Sequence, residues 1–257
     1  MTIETLREQI LAADDAAPVQ AAQLGAPALP VLSELLSHKD PDVRNRSVDC
    51  VAEIDDDRVP SLLIKALDDS SDAVSLNAIR ELSERSQLDL SHLSPLARHV
   101  THRHPGVRQG VALLLGQFDN QAAVAPLSRQ FGNEADPEAR QCFRLALARL
   151  GDTKRKEEIV SGLTNPASEV RLQTLQDLEY VNDVGLSKHL LPLLDDQSQG
   201  YEIGDPDLPE FARVCDAAVN LIGKWYGKAL NIEWDDLKVY SDDELETVRK
   251  YLKSLGE

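Results

Sequence analysis

Six stretches of the chain repeat one arrangement of apolar and polar positions. They begin at Val43, Val74, Val107, Ala139, Val170 and Val214, and mostly apolar residues return four, eight and eleven places later. The position four later holds Ser47, Ala78, Val111, Phe143, Thr174 and Ala218, and the position eight later holds Val51, Leu82, Leu115, Leu147, Leu178 and Ile222. That spacing carries side chains round to one face of an α-helix. It predicts helices over 43–54, 74–84, 107–118, 139–150, 170–181 and 214–225. Shorter apolar runs at helical spacing precede them, over 28–36, 59–67, 93–100, 124–131, 157–163 and 186–194. Pro192 stands late in its run, and Pro30, Pro60, Pro95 and Pro126 fall near the starts of theirs. A missing N–H is harmless there, because the first turn has no intrahelical acceptor for it.

The first five starts are 31 to 33 residues apart, and Val214 follows after a longer gap. A fixed period of this size argues for an elongated array. One helix pair cannot bury its apolar stripe alone and must stack on its neighbours. The expected fold is therefore all-α, a right-handed α-α superhelix of about six to seven helix pairs over 1–230. Residues 231–257 are expected to close it. Ser241-Asp242-Asp243-Glu244 has the spacing of a capping box and opens a helix to about Leu255. Trp225, Tyr226, Trp234, Tyr240 and Tyr251 are available for the inner face of such a cap.

The turn before each second helix carries a motif. It reads Asp40-Pro41-Asp42-Val43-Arg44, His104-Pro105-Gly106-Val107-Arg108, Asp136-Pro137-Glu138-Ala139-Arg140 and Pro166-Ala167-Ser168-Glu169-Val170-Arg171. Over residues 15–225 the chain resembles HEAT repeats, in particular the short bacterial kind also found in phycobilisome lyases. The resemblance implies a ladder in which the turn Asp and the Arg of successive repeats are hydrogen-bonded. Arg44, Arg108, Arg140 and Arg171 occupy the Arg position, whereas Ser75 and Cys215 depart from it.

Two surfaces follow as candidate binding sites. HEAT arrays line their concave side with second helices. Offsets +2 and +6 would then present Asn45, Asp49, Arg80, Gln109, Leu113, Gln141, Leu145, Leu172 and Gln176, a polar ridge that turns partly apolar towards its middle. The second surface is the stretch 195–211, where a turn has grown into an insertion with two Gly, two Pro and several carboxylates. Insertions in solenoids project as loops from one face, often the binding face. Its candidate contacts are Tyr201, Glu202, Asp205 and Asp207.

Composition narrows the chemistry. The formal charge is −17, so a phosphate backbone would be repelled and nucleic acid is excluded as a partner. This also removes a HEAT-like DNA glycosylase, which needs a basic groove. A cationic protein is the expected partner. Residues 1–10 carry acids where a signal peptide would have basic residues, and no apolar run is long enough to span a bilayer. A cytoplasmic location is expected. Cys50, Cys142 and Cys215 are odd in number, far apart and embedded in helical runs, which suits buried thiols better than disulfides. Cys215, near a helix start and beside Arg213, is the one candidate nucleophile.

His92, His99, His102 and His104 cluster at one helix end, but no nearby Cys or carboxylate pair completes a metal-ligand pattern. The acidic stretches 53–57 and 68–72 lack the spacing of a calcium loop. There is no phosphate-binding Gly loop and no nucleophile elbow. The sequence therefore reads as a non-enzymatic binding module without cofactor, a monomer or half of a heterodimer. It would grip a basic protein in its groove with help from the acidic insertion. An immunity or antitoxin-type inhibitor is one version, since acidic inhibitors associate quickly with basic targets. The alternative is a chromophore lyase subunit, which the resemblance to phycobilisome lyases implies, with a tetrapyrrole pocket and a paired second subunit.

Overall fold

The computed structural model describes residues 2–85, 88–205, 208–230, 232–236 and 238–255. It is built from helices and one hairpin, and it divides into two compact units, Met1–Leu150 and Gly151–Glu257. The first unit contains α1 (Ile3–Ala12), α2 (Ala17–Leu24), α3 (Leu29–Leu35), α4 (Pro41–Ala52), α5 (Val59–Ala66), α6 (Asp72–Ser83), α7 (Leu90–Ala97), α8 (Pro105–Gln117), α9 (Val124–Asn133) and α10 (Pro137–Arg149). The second contains α11 (Thr153–Val160), α12 (Ser168–Val181), a 3₁₀ stretch Val184–Asp195, strands β1 (Gln199–Asp205) and β2 (Leu208–Arg213), α13 (Val214–Tyr226) and α14 (Asp242–Ser254).

In the first unit, α4, α6, α8 and α10 stack on one another in sequence order, and each is flanked by a shorter first helix. The motif turns start them. Asp40 Oδ1 accepts from Asp42 N at 3.0 Å, Asp136 Oδ1 from Ala139 N at 2.8 Å, and Pro41 and Pro137 occupy first-turn positions. His104 fills the same place with its ring, Nδ1 accepting from Gly106 N at 3.1 Å. The stripe at offsets 0, +4 and +8 is buried in all four helices, and Val43, Val51, Val74, Leu82, Val107, Leu115 and Phe143 run through one core.

The interrepeat ladder forms with different acceptors from those the resemblance implies. The turn aspartates Asp40 and Asp136 cap their own helices, and the ladder's acid stands two residues ahead of the cap. Arg44 makes a bidentate pair with Asp69 at 2.7 and 2.8 Å and donates Nη1 back to His38 O. Arg108 repeats this on Glu134 at 2.7 and 2.6 Å, with Nη1 on His102 O, and Arg171 does so on Asp196 in the second unit. One guanidinium thus ties its own turn to the next.

At Ser75 the rung is missing, and the hydroxyl sits instead within 3.3 Å of Asp69 O and Ser71 O. Its would-be acceptor position holds His102, whose Nδ1 accepts from His104 N. Burial lowers the His102 pKa, favouring the neutral ring. Where the cation is lost, the anion is lost too.

Three elements of the second unit differ from expectation. The run 186–194 is 3₁₀ rather than α-helical, with Pro192 inside it. Val170 is 40% exposed, although the stripe places it inside; its neighbour Arg171 is buried instead. The insertion is an antiparallel hairpin rather than a loop, with Glu202 opposite Phe211 and Asp205 opposite Leu208. Gly200 lies where a Cβ would come within 2.5 Å of Ala212 O, so the strands close up only around glycine.

Candidate functional site

The polar ridge residues of the first unit are largely occupied with neighbouring side chains. Asn77 donates to Asp49 Oδ1 at 2.7 Å and accepts from Arg80 Nη2 at 2.6 Å, linking α4 to α6. Arg80 also pairs with Glu81 at 2.6 Å. Asn45 is half-buried, with its carbonyl near Asn77 Nδ2. Gln109 reaches Glu138 at 3.5 Å, and Gln141 accepts from Arg144. Leu113 is half-buried. Leu145 is only 8% exposed, so it belongs to the core rather than the ridge. An offset of +6 lies close enough to the buried face that one tight neighbour can cover it.

In the second unit, three residues predicted on two separate grounds come together. Leu172 and Gln176 of α12 and Tyr201 of β1 line a single pocket of about 260 Å³. Leu172, Leu175, Ala217 and Leu221 form its apolar floor, where α12 packs on α13. Asn220, Glu179, Lys224 and Asp236 complete the polar rim, and sequence reasoning missed all four. Lys224 stands between the two carboxylates, its Nζ 2.8 Å from Glu179 Oε1 and 3.4 Å from Asp236 Oδ1. Partial burial opposes its charge, but hydrogen bonding and attraction from Glu179 and Asp236 outweigh that and raise its pKa.

A buried network fixes the wall. Tyr201 Oη donates to Asp236 O at 2.8 Å and lies 3.5 Å from Asn220 Nδ2. Asn220 Oδ1 accepts from Tyr240 Oη at 2.6 Å, and Tyr240 N donates to Asp216 Oδ1 at 3.0 Å. Arg213, the last residue of β2, donates to both Asp216 oxygens from Nε and Nη2 and to Tyr240 O. Hairpin, α13 and the segment before α14 are thereby one piece. Trp234 rests on Gly223, where any Cβ would come within 2.5 Å of the indole. Tyr226 and Tyr251 meet edge to face at 5.2 Å.

Glu202 is exposed on the hairpin, Asp205 pairs across it with Leu208, and Asp207 lies outside the described residues. The stretch 195–211 carries six carboxylates and neither Lys nor Arg. Residues 151–257 hold 22 acidic against 12 basic residues, so this unit carries the larger share of the negative charge.

A family profile described as HEAT repeats matches the sequence over residues 3–83 and 60–148, more than half of the chain. The chain belongs to the HEAT-repeat family. Solved structures agree on the fold of this HEAT-repeat protein. YibA of Escherichia coli is 18% identical with a TM-score of 0.55, covering 96% of this chain and 92% of its own. An archaeal HEAT-like repeats protein from Thermococcus onnurineus NA1 is 16% identical with a TM-score of 0.51, covering 97% and 98%. No curated protein matches the chain.

The other sequence candidates have local roles. Among the described residues no group of three or more His, Cys, Asp and Glu is placed to hold a metal ion, and no helix is long and apolar enough to cross a membrane. The His92 ring closes a capping box with Asp89, and His102 and His104 brace the turn before α8. His99 is buried beside Asp68, and burial lowers its pKa.

Cys50 and Cys215 are fully buried. Burial pushes the Cys50 thiol up to about 12; burial and then the charge of Asp216 push Cys215 up to about 11. Neither supplies a thiolate near neutral pH. Iodoacetamide applied to the native protein at pH 8 is expected to leave both unmodified, and to label them only in denaturant. Rapid native labelling of Cys215, read by peptide mass spectrometry, would contradict this placement.

Proposed function

We propose that this HEAT-repeat protein is a non-enzymatic module that binds another protein, and that the second unit carries the main contact. The observation behind the reading is the convergence of Leu172, Gln176 and Tyr201 on one pocket with an apolar floor and a polar rim. Protein interfaces have that composition at their centres, an apolar core ringed by polar groups. The surrounding carboxylates favour a basic partner, which they would attract over a distance set by ionic strength. The ridge of the first unit, Asn45, Asp49, Arg80, Gln109 and Leu113, is assigned a smaller share, because most of its polar groups are already paired. An inhibitor of a basic target is one form this activity can take.

The test is affinity capture from native lysate with wild-type protein and the Leu172→Glu variant, at low and high salt, with mass spectrometry and an absorbance spectrum of the eluate. A basic protein held by the wild type at low salt, shed at high salt and not captured by Leu172→Glu is the expected result. A coloured eluate, or equal capture by the variant, would overturn the reading.

A further inference from the structure

The pocket floor and rim specify one kind of side chain. The floor of Leu172 and Leu175 is apolar and leads towards Glu179 and Asp236, which stand at the mouth with their side chains 48% and 58% exposed. Between them the structure holds a cation of its own. The Lys224 ammonium engages one oxygen of each carboxylate, and its side chain is 29% exposed. A long side chain with an aliphatic stem and a cationic head matches this sequence of environments, stem on the leucines and head at the carboxylates. A guanidinium is planar and carries five donors, so it can address two carboxylates at once where an ammonium addresses them as a point charge. Tyr201, whose hydroxyl is held by Asp236 O, supplies an aromatic wall of the kind that guanidinium groups favour. An anionic group would meet Glu179 and Asp236, and Lys224 is already paired to both.

We infer that the pocket receives an arginine side chain of the partner protein, and that Lys224 is an internal cation which competes with it for Glu179 and Asp236. The inference rests on the reading of this pocket as the protein-binding site and names the chemistry it selects. Lys224 then weakens binding, although it lines the site, and Glu179 and Asp236 strengthen it. A merely structural ion pair would give no such opposite signs.

The experiment is an amide NMR titration of the full chain with an unstructured peptide of Gly, Leu and Arg, and with a counterpart in which every Arg is Gln. The arginine peptide is expected to shift the side-chain amides of Asn220 and Gln176, and the Gln peptide to leave them in place. Lys224→Met should tighten the arginine peptide about tenfold, and Glu179→Gln should weaken it about fivefold. Glu179 is exposed, so its variant is expected to keep the wild-type spectrum outside the pocket.

If both peptides shift the pocket equally, or Lys224→Met weakens binding, the arginine assignment falls while a protein-binding pocket stands. If neither peptide shifts the pocket at millimolar concentration, the arginine assignment and the placing of the protein-binding site at this pocket both fall.

Discussion

Replacing Asp216 with alanine is expected to destabilise the second unit by about 4 kcal/mol, the scale of breaking a buried ion pair from one side. The carboxylate is fully buried. It accepts from Arg213 N at 2.7 Å, Arg213 Nε at 2.9 Å, Arg213 Nη2 at 2.8 Å and Tyr240 N at 3.0 Å. Burial alone would raise its pKa, but the bonds from Arg213 and Tyr240 outweigh it and hold the group ionised. Alanine leaves the half-buried guanidinium without its anion and the Tyr240 N–H without an acceptor. Asn would keep part of the geometry and lose about half as much. The effect is expected in hydrogen exchange at α13 and α14, since Tyr240 ties the segment before α14 to α13. Exchange there at the wild-type rate in Asp216→Ala would contradict the network's role.

The ladder gives the second large effect. Arg108→Leu should cost the first unit about 3 kcal/mol, because Glu134, with its side chain only 1% exposed, would lose its bidentate partner. The hydrogen bond from Arg108, opposed by burial and helped by Gln130, holds the Glu134 carboxyl down to about 2 against an ordinary 4.5. Because the folded pKa is the lower one, this stabilisation is complete above the unfolded pKa near 4.5 and is lost as pH falls towards 2. Asp69 and Asp196 are lowered in the same direction. Burial works against both, but their bonds from Arg44 and Arg171 and from the neighbouring turn prevail. Urea midpoints measured from pH 6 down to pH 2.5 should fall for the wild type, and fall less for a variant carrying both Arg108→Leu and Glu134→Leu. Parallel curves for the two proteins would show that the ladder contributes nothing to acid sensitivity.

Most of the helical framework was legible because two independent signals coincide. The apolar stripe gives the buried face, and the Asp-Pro or His-Pro turn gives the start, so α4, α8 and α10 begin at Pro41, Pro105 and Pro137. Where one signal is diluted, the reading slips. Val170 keeps the motif but stands exposed, and the ladder's acids Asp69, Glu134 and Asp196 look like ordinary solvated turn residues until the arginine of the preceding repeat is in place.

The hairpin was missed because Gly200, Gly204 and Pro209 interrupt any strand pattern, and its closure depends on a close approach visible only in three dimensions. The pocket was half legible. Leu172 and Gln176 follow from helical offset and Tyr201 from the insertion, but Asn220, Lys224 and Asp236 belong to elements whose relation to α12 no local periodicity encodes.

The proposed function has a basic protein dock on the pocket between α12, α13 and β1. It is tested most directly by titrating the captured partner against wild-type protein, Leu172→Glu and Leu113→Glu over a series of salt concentrations. Affinity is expected to fall steadily with salt, to weaken about thirtyfold with Leu172→Glu, as on loss of a central anchor, and to weaken only about twofold with Leu113→Glu. A partner that binds Leu172→Glu as tightly as the wild type would place the contact elsewhere on the protein and overturn docking at this pocket.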